Sequence, residues 1–397
     1  MLWPPFLRFF LFRFLFFFGL WRGRFFRGLL FLRFSLRLFL AAEPVDRIPS
    51  AALLRLLFLR LVTSRWRCFW RDGRLFALAG ATRELKSFYK LTYLAAAGEA
   101  GLLSRLASGP ATLDSLAEFY AANDRGRETL EAWLQFGVRL RLLSLGVQGY
   151  SLRGLARKLA QPKNDPVLAM AQEVVELHHK LITGTISKLR AGDLWTLDDQ
   201  NGELIARSSR ILEPFQAEII QSAFPGNGAV RLLEIGCGSG IYLRYAAERN
   251  PSLSAVGLEL QPAVAEMARA NLQSWKLDNR VKIEAVDIRK KMPVDPFDIA
   301  TLYNNIYYFP VDERVKLLHH IGKFLKPGGL LLLTTCCQGG SLGAEALNLW
   351  GAATSGTGRL PAEDELIHQL REAGYKDVTT KNLLPGERFI AFQAFHA

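Results

Sequence analysis

The stretch Leu-Glu-Ile-Gly-Cys-Gly-Ser-Gly at 233–240 is the first place where residue type and spacing could do chemistry. Gly236, Gly238 and Gly240, with Cys237 among them, permit a tight turn and let a ligand approach the backbone. Glu234 sets a carboxylate two residues before that turn. Glu259 follows 19 residues after Gly240, where a carboxylate at a strand end can accept both hydroxyls of a ribose. Leu260 beside it can pack on a purine. Asp287 then offers an acceptor for a ring amine, and Ile288 an apolar neighbour for the same ring. Asn304 ends the next strand, on the side of the sheet that faces a ligand crevice.

A glycine-rich loop after a strand could also bind a dinucleotide, whose pattern is G-x-G-x-x-G. Here Ile241 stands at the sixth position and the spacing is G-x-G-x-G. Glu234 is unusual beside a pyrophosphate. S-adenosylmethionine has no pyrophosphate, but it has an amino-acid end and a sulfonium cation. An acid beside the loop suits its ammonium group, directly or through water. The expected cofactor is therefore S-adenosyl-L-methionine, held by Glu234, Gly236, Cys237, Gly238, Gly240, Glu259, Leu260, Asp287, Ile288 and Asn304. No metal site is expected.

These residues need strands and helices in alternation to position them. Val230–Ile235, 254–258, Val281–Ala285, Phe297–Tyr303 and 330–335 read as strands. Ile241–Arg249, Pro262–Ser274, 311–325 and 361–373 read as helices, and Lys326-Pro327-Gly328-Gly329 as a turn. Segments 378–382 and 388–395 read as a closing hairpin. The alternation predicts an α/β fold, with a Rossmann-like, doubly wound, mostly parallel seven-stranded sheet and an antiparallel closing hairpin. Upstream, 167–189 and 202–224 read as long helices. In 85–160, Thr112 is a plausible N-cap for a helix over 113–122. A second helix over 127–136 and a strand–turn–strand at 140–152 complete an α-helical winged-helix pattern. The expected divisions are 1–84, 85–160, linking helices at 161–225, and 226–397.

The motifs Leu-Glu-Ile-Gly-Cys-Gly-Ser-Gly, Gly-Leu-Glu, Val-Asp-Ile and Leu-Lys-Pro-Gly-Gly, in that order, resemble class I S-adenosylmethionine-dependent methyltransferases. The order of Ala-Ala-Gly-Glu-Ala-Gly-Leu-Leu through Gly-Tyr-Ser-Leu (95–152) resembles the N-terminal dimerisation domain of small-molecule O-methyltransferases. The resemblance implies a homodimer and a small, hydrophobic substrate. It also implies a histidine base at the end of the fourth strand, within His-Asp-Trp. This sequence departs from it: the stretch reads Tyr307-Tyr308-Phe309. A tyrosine near its ordinary pKa of about 10 is a poor base. The expectation is catalysis by positioning rather than by a dedicated histidine base, with Tyr307 and Tyr308 as the catalytic candidates. His319 and His320 lie too far down the next helix to substitute. His178 and His179 are candidates to line the pocket, although neighbours on a helix cannot both face one ligand. Oxygen is the leading acceptor. Transfer to carbon or nitrogen, and a non-catalytic cofactor-binding winged-helix regulator, are the alternatives.

The net charge of +13 invites a nucleic-acid or membrane partner, but its location argues against both. Residues 1–74 hold fourteen arginines against three acids, which leaves the remaining chain nearly neutral. The helix over 127–136 carries Glu128 and Glu131 and no basic stripe, so no nucleic-acid partner is expected. The N-terminal segment is rich in phenylalanine, yet its longest uncharged run among residues 1–40, Phe14 to Trp21, falls far short of the about 20 residues that span a bilayer. No membrane partner is expected. Arginine without lysine, filled in by Phe and Leu, reads as a disordered segment or a mis-extended start, with the protein beginning near residues 62–85. Four cysteines without metal spacing or a disulfide framework suggest a reduced, cytoplasmic setting.

Overall fold

Val230–Ile235 (β3 below) is almost continuously apolar, as a strand covered on both faces must be. The computed structural model describes residues 74–293 and 295–397. Most of them form one unit from Glu84 to Ala397. The expected segment 1–84, its disorder or mis-extended start included, lies outside the described residues up to 73. Among the described residues, no helix is long and apolar enough to cross a membrane.

After a helix at Arg74–Glu99 come short helices at Leu102–Ala107 and Leu113–Phe119, a longer one at Asp124–Arg139, and a hairpin of β1 (Leu143–Gly146) and β2 (Gly149–Leu152). Thr112 caps its helix as expected, its side chain accepting from the Ser115 N–H at 3.2 Å. Leu103, Leu116, Leu134, Leu142 and Tyr150 form the core of this module.

The main sheet has seven strands. They are β3 (Val230–Ile235), β4 (Leu253–Glu259), β5 (Val281–Ala285), β6 (Phe297–Tyr303), β7 (Leu325–Cys336), β8 (Tyr375–Asn382) and β9 (Phe389–His396). Their order is β5-β4-β3-β6-β7-β9-β8. The first five are parallel and the last two form the antiparallel edge. The chain moves outward from β3 through β4 and β5, then returns to the other side at β6. The carboxyl ends of β3 and β6 therefore flank a topological switch point, where a crevice opens in such sheets. Each face of the sheet carries its own apolar core, one around Leu318, Phe324 and Phe392, the other around Leu232, Leu243 and Leu272.

Several expected elements change. The single helix over 202–224 is two, Gly202–Ser209 and Glu213–Ala223, because Pro214 has no N–H to continue the first and starts the second. The helix over 311–325 is shorter: a 3₁₀ turn at Val311–Glu313 precedes Arg314–Gly322, and Leu325 already belongs to β7. The turn at 326–329 is an irregularity within β7, with Gly328 at φ +74° and the register to β6 shifting across it. The helix over 167–189 is continuous but changes type, running Asp165–Glu173 as α, Val174–His178 as π and His179–Ala191 as α again. A helix at Leu342–Ala353 has no counterpart in the sequence reading.

Candidate functional site

The glycine loop leaves the end of β3 with Gly236, Gly238 and Gly240 at φ +68°, +52° and +79°, where an L side chain is strained. The Gly236 and Cys237 N–H groups both donate to the Leu258 carbonyl, at 2.8 and 2.9 Å, and bind the loop to the end of β4. The Asn271 side chain donates to the Ser239 carbonyl at 3.0 Å. Cys237 is buried, and burial keeps its thiol protonated.

Glu234 occupies the middle of the sheet, opposite Gly257 on β4 and Thr301 on β6. It is 1% exposed, and neither carboxylate oxygen has a partner among the described residues. Burial pushes its carboxyl well above the ordinary range. An unpaired buried carboxyl is expensive, and a ligand bearing an ammonium group fits it. Glu259 accepts from the Gly238 N–H at 3.0 Å and from the Gln261 N–H at 3.1 Å, so its two oxygens are fixed and keep spare lone pairs for ribose hydroxyls. Leu260 beside it is 54% exposed.

The other sequence-selected residues are placed less openly. Asp287 accepts from Arg289 through both oxygens, from the backbone N–H and from the guanidinium, which together take all four of its acceptor positions. Burial pushes its carboxyl up, and these bonds outweigh that and hold it low. Ile288 is 3% exposed and packs into the core with Leu258 and Leu317. Asn304 adopts φ +51°, donates its N–H to the Thr334 carbonyl at 2.6 Å and accepts from the Cys336 N–H at 3.3 Å. Asn305, absent from the sequence-selected set, donates Nδ2 to the Ile235 carbonyl at 2.7 Å and fills the space that a Cβ on Gly236 would need.

Asn304 also borders a cavity of about 180 Å³ whose walls include Tyr307, Tyr308, Trp350, His178 and Glu173. The loop after β6 thus touches the glycine loop with Asn305 and the cavity with Asn304. Tyr307 and Tyr308 stack at 5.2 Å between ring centroids, and Trp350 closes on Tyr308 at the same distance. Burial pushes both phenols up, Tyr308 to about 12, with the charge of Glu173 adding to the effect. Neither is a base at neutral pH. His178 lies in the cavity wall, whereas His179 is exposed and meets the Phe88 ring at 6.2 Å. His319 and His320 bond to the Ala373 and Ile288 carbonyls instead.

Residues 198–380 match a family model described as a methyltransferase domain. This part of the chain is a methyltransferase domain. Among curated proteins, the chain is 26% identical over 270 residues to a mitomycin biosynthesis 6-O-methyltransferase of Streptomyces lavendulae, covering 63% of this chain and 74% of that protein. It is 27% identical over 150 residues to a carboxy-S-adenosyl-L-methionine synthase of Erwinia tasmaniensis, covering 35% of this chain and 59% of that protein. Against a highly reducing polyketide synthase of Emericella nidulans, 30% identical over 129 residues, the alignment covers 30% of this chain and spans 5% of the relative's length. In fold, the chain is similar to the solved structure of the mitomycin 7-O-methyltransferase MmcR, with a TM-score of 0.69 and 21% identity over 82% of this chain and 99% of that one. The doubly wound sheet of the methyltransferase domain is the fold that the sequence motifs imply.

Proposed function

We propose that the protein transfers a methyl group from S-adenosylmethionine to an oxygen of a small, largely apolar metabolite. One observation carries this reading: a buried, unpartnered Glu234 beside the glycine loop, joined through Asn304–Asn305 to an aromatic cavity. Glu234 would hold the amino-acid end, Glu259 the ribose, and Leu260, Asp287 and Ile288 the adenine side. Bound there, the cofactor supplies a methyl group on a sulfonium, ready for in-line displacement. The chain then has to orient the acceptor and exclude water. Tyr307, Tyr308 and Trp350 supply flat apolar walls for that task, and their electron-rich faces suit a nearby cation. The name of the Streptomyces relative, a 6-O-methyltransferase, supports oxygen as the acceptor. Carbon or nitrogen is the second reading, favoured by the absence of a base on the loop after β6.

The resemblance further supports reading 85–160 as a winged-helix dimerisation module, 161–225 as linking helices and 226–397 as the catalytic domain, in a cytoplasmic homodimer. Titration calorimetry with S-adenosylmethionine, followed by label transfer to a panel of aromatic alcohols and amines, tests the function. Absence of cofactor binding would sink it, and transfer to amines alone would favour the second reading. Light scattering on the full chain tests the dimer.

A further inference from the structure

Residues five apart on an α-helix lie about 140° apart around its axis, so Glu173 and His178 would face different directions on a regular helix. The π turn at Val174–His178 changes that, because its i to i+5 bonding brings His178 round towards the face of Glu173. His178 Nε2 consequently lies 3.4 Å from Glu173 Oε1, with both side chains mostly buried, 13% and 16% exposed. Both line the cavity that holds Tyr307, Tyr308 and Trp350. Single π turns of this kind recur at functional sites.

We infer that His178 is the general base of the reaction, that Glu173 positions it, and that the acceptor is an aromatic hydroxyl lying against Tyr308 and Trp350. The inference rests on the methyltransferase reading above and adds the base that the loop after β6 lacks. The Glu173 carboxylate, 3.4 Å from Nε2, favours the tautomer protonated there and leaves the Nδ1 lone pair for a proton. Nδ1 takes part in no hydrogen bond among the described residues, and it is not among the buried unpartnered atoms. The hydroxyl proton passes to Nδ1, and an oxygen electron pair forms the new bond to the methyl carbon. The carbon–sulfur bond breaks with its pair left on sulfur. The other titratable groups in the cavity wall are Glu173, Tyr307, Tyr308 and Cys336. Burial keeps the two phenols and the Cys336 thiol protonated at neutral pH, which leaves the His178–Glu173 pair to take the proton.

A chromogenic phenol, 7-hydroxycoumarin, tests this without turnover, because its anion absorbs at longer wavelength than the neutral form. The full-length protein is first loaded with S-adenosylhomocysteine, and the probe is added at neutral pH. The bound probe is expected to show the anion band in the parent. The band is expected to be lost in His178→Gln and diminished in Glu173→Gln, while the non-ionising 7-methoxycoumarin binds all three alike. With a phenol that is turned over, His178→Gln is expected to lower kcat by about 100-fold or more, and added imidazole to rescue His178→Ala in part. An unchanged anion band in His178→Gln, or no binding of the probe by the parent, overturns the inference. Calorimetry with S-adenosylmethionine separates the two levels. Normal cofactor binding with a failed probe result removes only the histidine base, whereas absent cofactor binding removes the methyltransferase reading as well. If His178→Gln fails to melt cooperatively, Glu173→Gln carries the test, and an unchanged band there overturns the pairing.

Discussion

Asn305 stands over Gly236, donating Nδ2 to the Ile235 carbonyl at 2.7 Å from the space that a Gly236 side chain would take. One side chain thus ties the carboxyl ends of β3 and β6 together at the switch point of the sheet. Gly236 also holds φ +68°, which disfavours an L residue by about 1–2 kcal/mol. Gly236→Ala should therefore lower stability by roughly 2–3 kcal/mol, the strain plus a disturbed hydrogen bond. It should also weaken cofactor binding at least about tenfold, by about 1.4 kcal/mol. Thermal melts and calorimetry measure the two. A variant as stable and as tight-binding as the parent would show that Asn305 moves aside freely.

Glu234 predicts a proton release. Burial raises its carboxyl well above the ordinary value in the ligand-free fold, so the folded state holds a proton that the unfolded state has given up. That contribution to stability is fully present below the unfolded pKa and is lost as pH rises through the folded one. Glu234→Gln should flatten this loss and leave the ligand-free protein at least as stable at neutral pH. An ammonium group brought beside the carboxyl should drive the proton off. Calorimetry in buffers of different ionisation enthalpy should then show proton release on binding S-adenosylmethionine, abolished in Glu234→Gln. Equal release by both proteins would place the ammonium elsewhere.

Much of the fold around the glycine loop was legible in the sequence. The strands Val230–Ile235, Val281–Ala285 and Phe297–Tyr303 and the helices Ile241–Arg249 and Pro262–Ser274 are bounded by glycine, proline and turn residues that stop them at defined points. The aromatic cavity was hidden for physical reasons. Glu173 and His178 meet only because a π turn replaces an α turn, and period-3.6 reasoning separates them. Asn305 gains its place from the close approach of β3 and β6, a contact between residues seventy apart. The helix at Leu342–Ala353 is dominated by Leu, Ala and Gly, with Glu345 and Asn348 as its two polar residues, so no amphipathic pattern placed Trp350.

Asp287 and Arg289 yield a pair of contrasting variants. Arg289 saturates the carboxylate, so contact with an adenine amine requires the guanidinium to swing away. Arg289→Ala should then hold or improve cofactor affinity. Asp287→Ala should weaken it by roughly 1.5–3 kcal/mol, the worth of a hydrogen bond to a charged group. Equilibrium binding of both variants checks this, and tighter binding by Asp287→Ala would remove Asp287 from the adenine site.

Tyr307 and Tyr308 are expected to act through their rings. Because burial keeps both phenols protonated, Tyr307→Phe and Tyr308→Phe should retain most of kcat between about pH 6 and pH 9, below the ordinary tyrosine pKa. Tyr308→Ala should instead raise KM and lower kcat together, because it opens the wall that meets Trp350. Steady-state kinetics across that pH span separates ring from hydroxyl. A large kcat loss in Tyr308→Phe would give the hydroxyl a direct part.

Behind those tyrosines lies Arg314, a guanidinium with 0% exposure. Its Nε donates to the Phe309 carbonyl at 3.3 Å and its Nη2 to the Arg359 carbonyl at 2.5 Å, while the Gly358 N–H donates to the Tyr307 carbonyl at 2.9 Å. Arg314 therefore clamps the segment carrying Tyr307 and Tyr308 against 358–359. Burial lowers its pKa to about 10, and Glu365 offsets part of that, so the cation persists at neutral pH. Lysine carries the same charge but lacks the planar fork that reaches both carbonyls. Arg314→Lys should thus destabilise the fold by roughly 1–3 kcal/mol, with at least one buried carbonyl left unpaired. Arg314→Met removes the costly buried charge as well, and should be no worse than Arg314→Lys. Urea unfolding ranks the three proteins. If lysine matches arginine, charge alone is sufficient and the fork geometry does not set the position of the tyrosine wall.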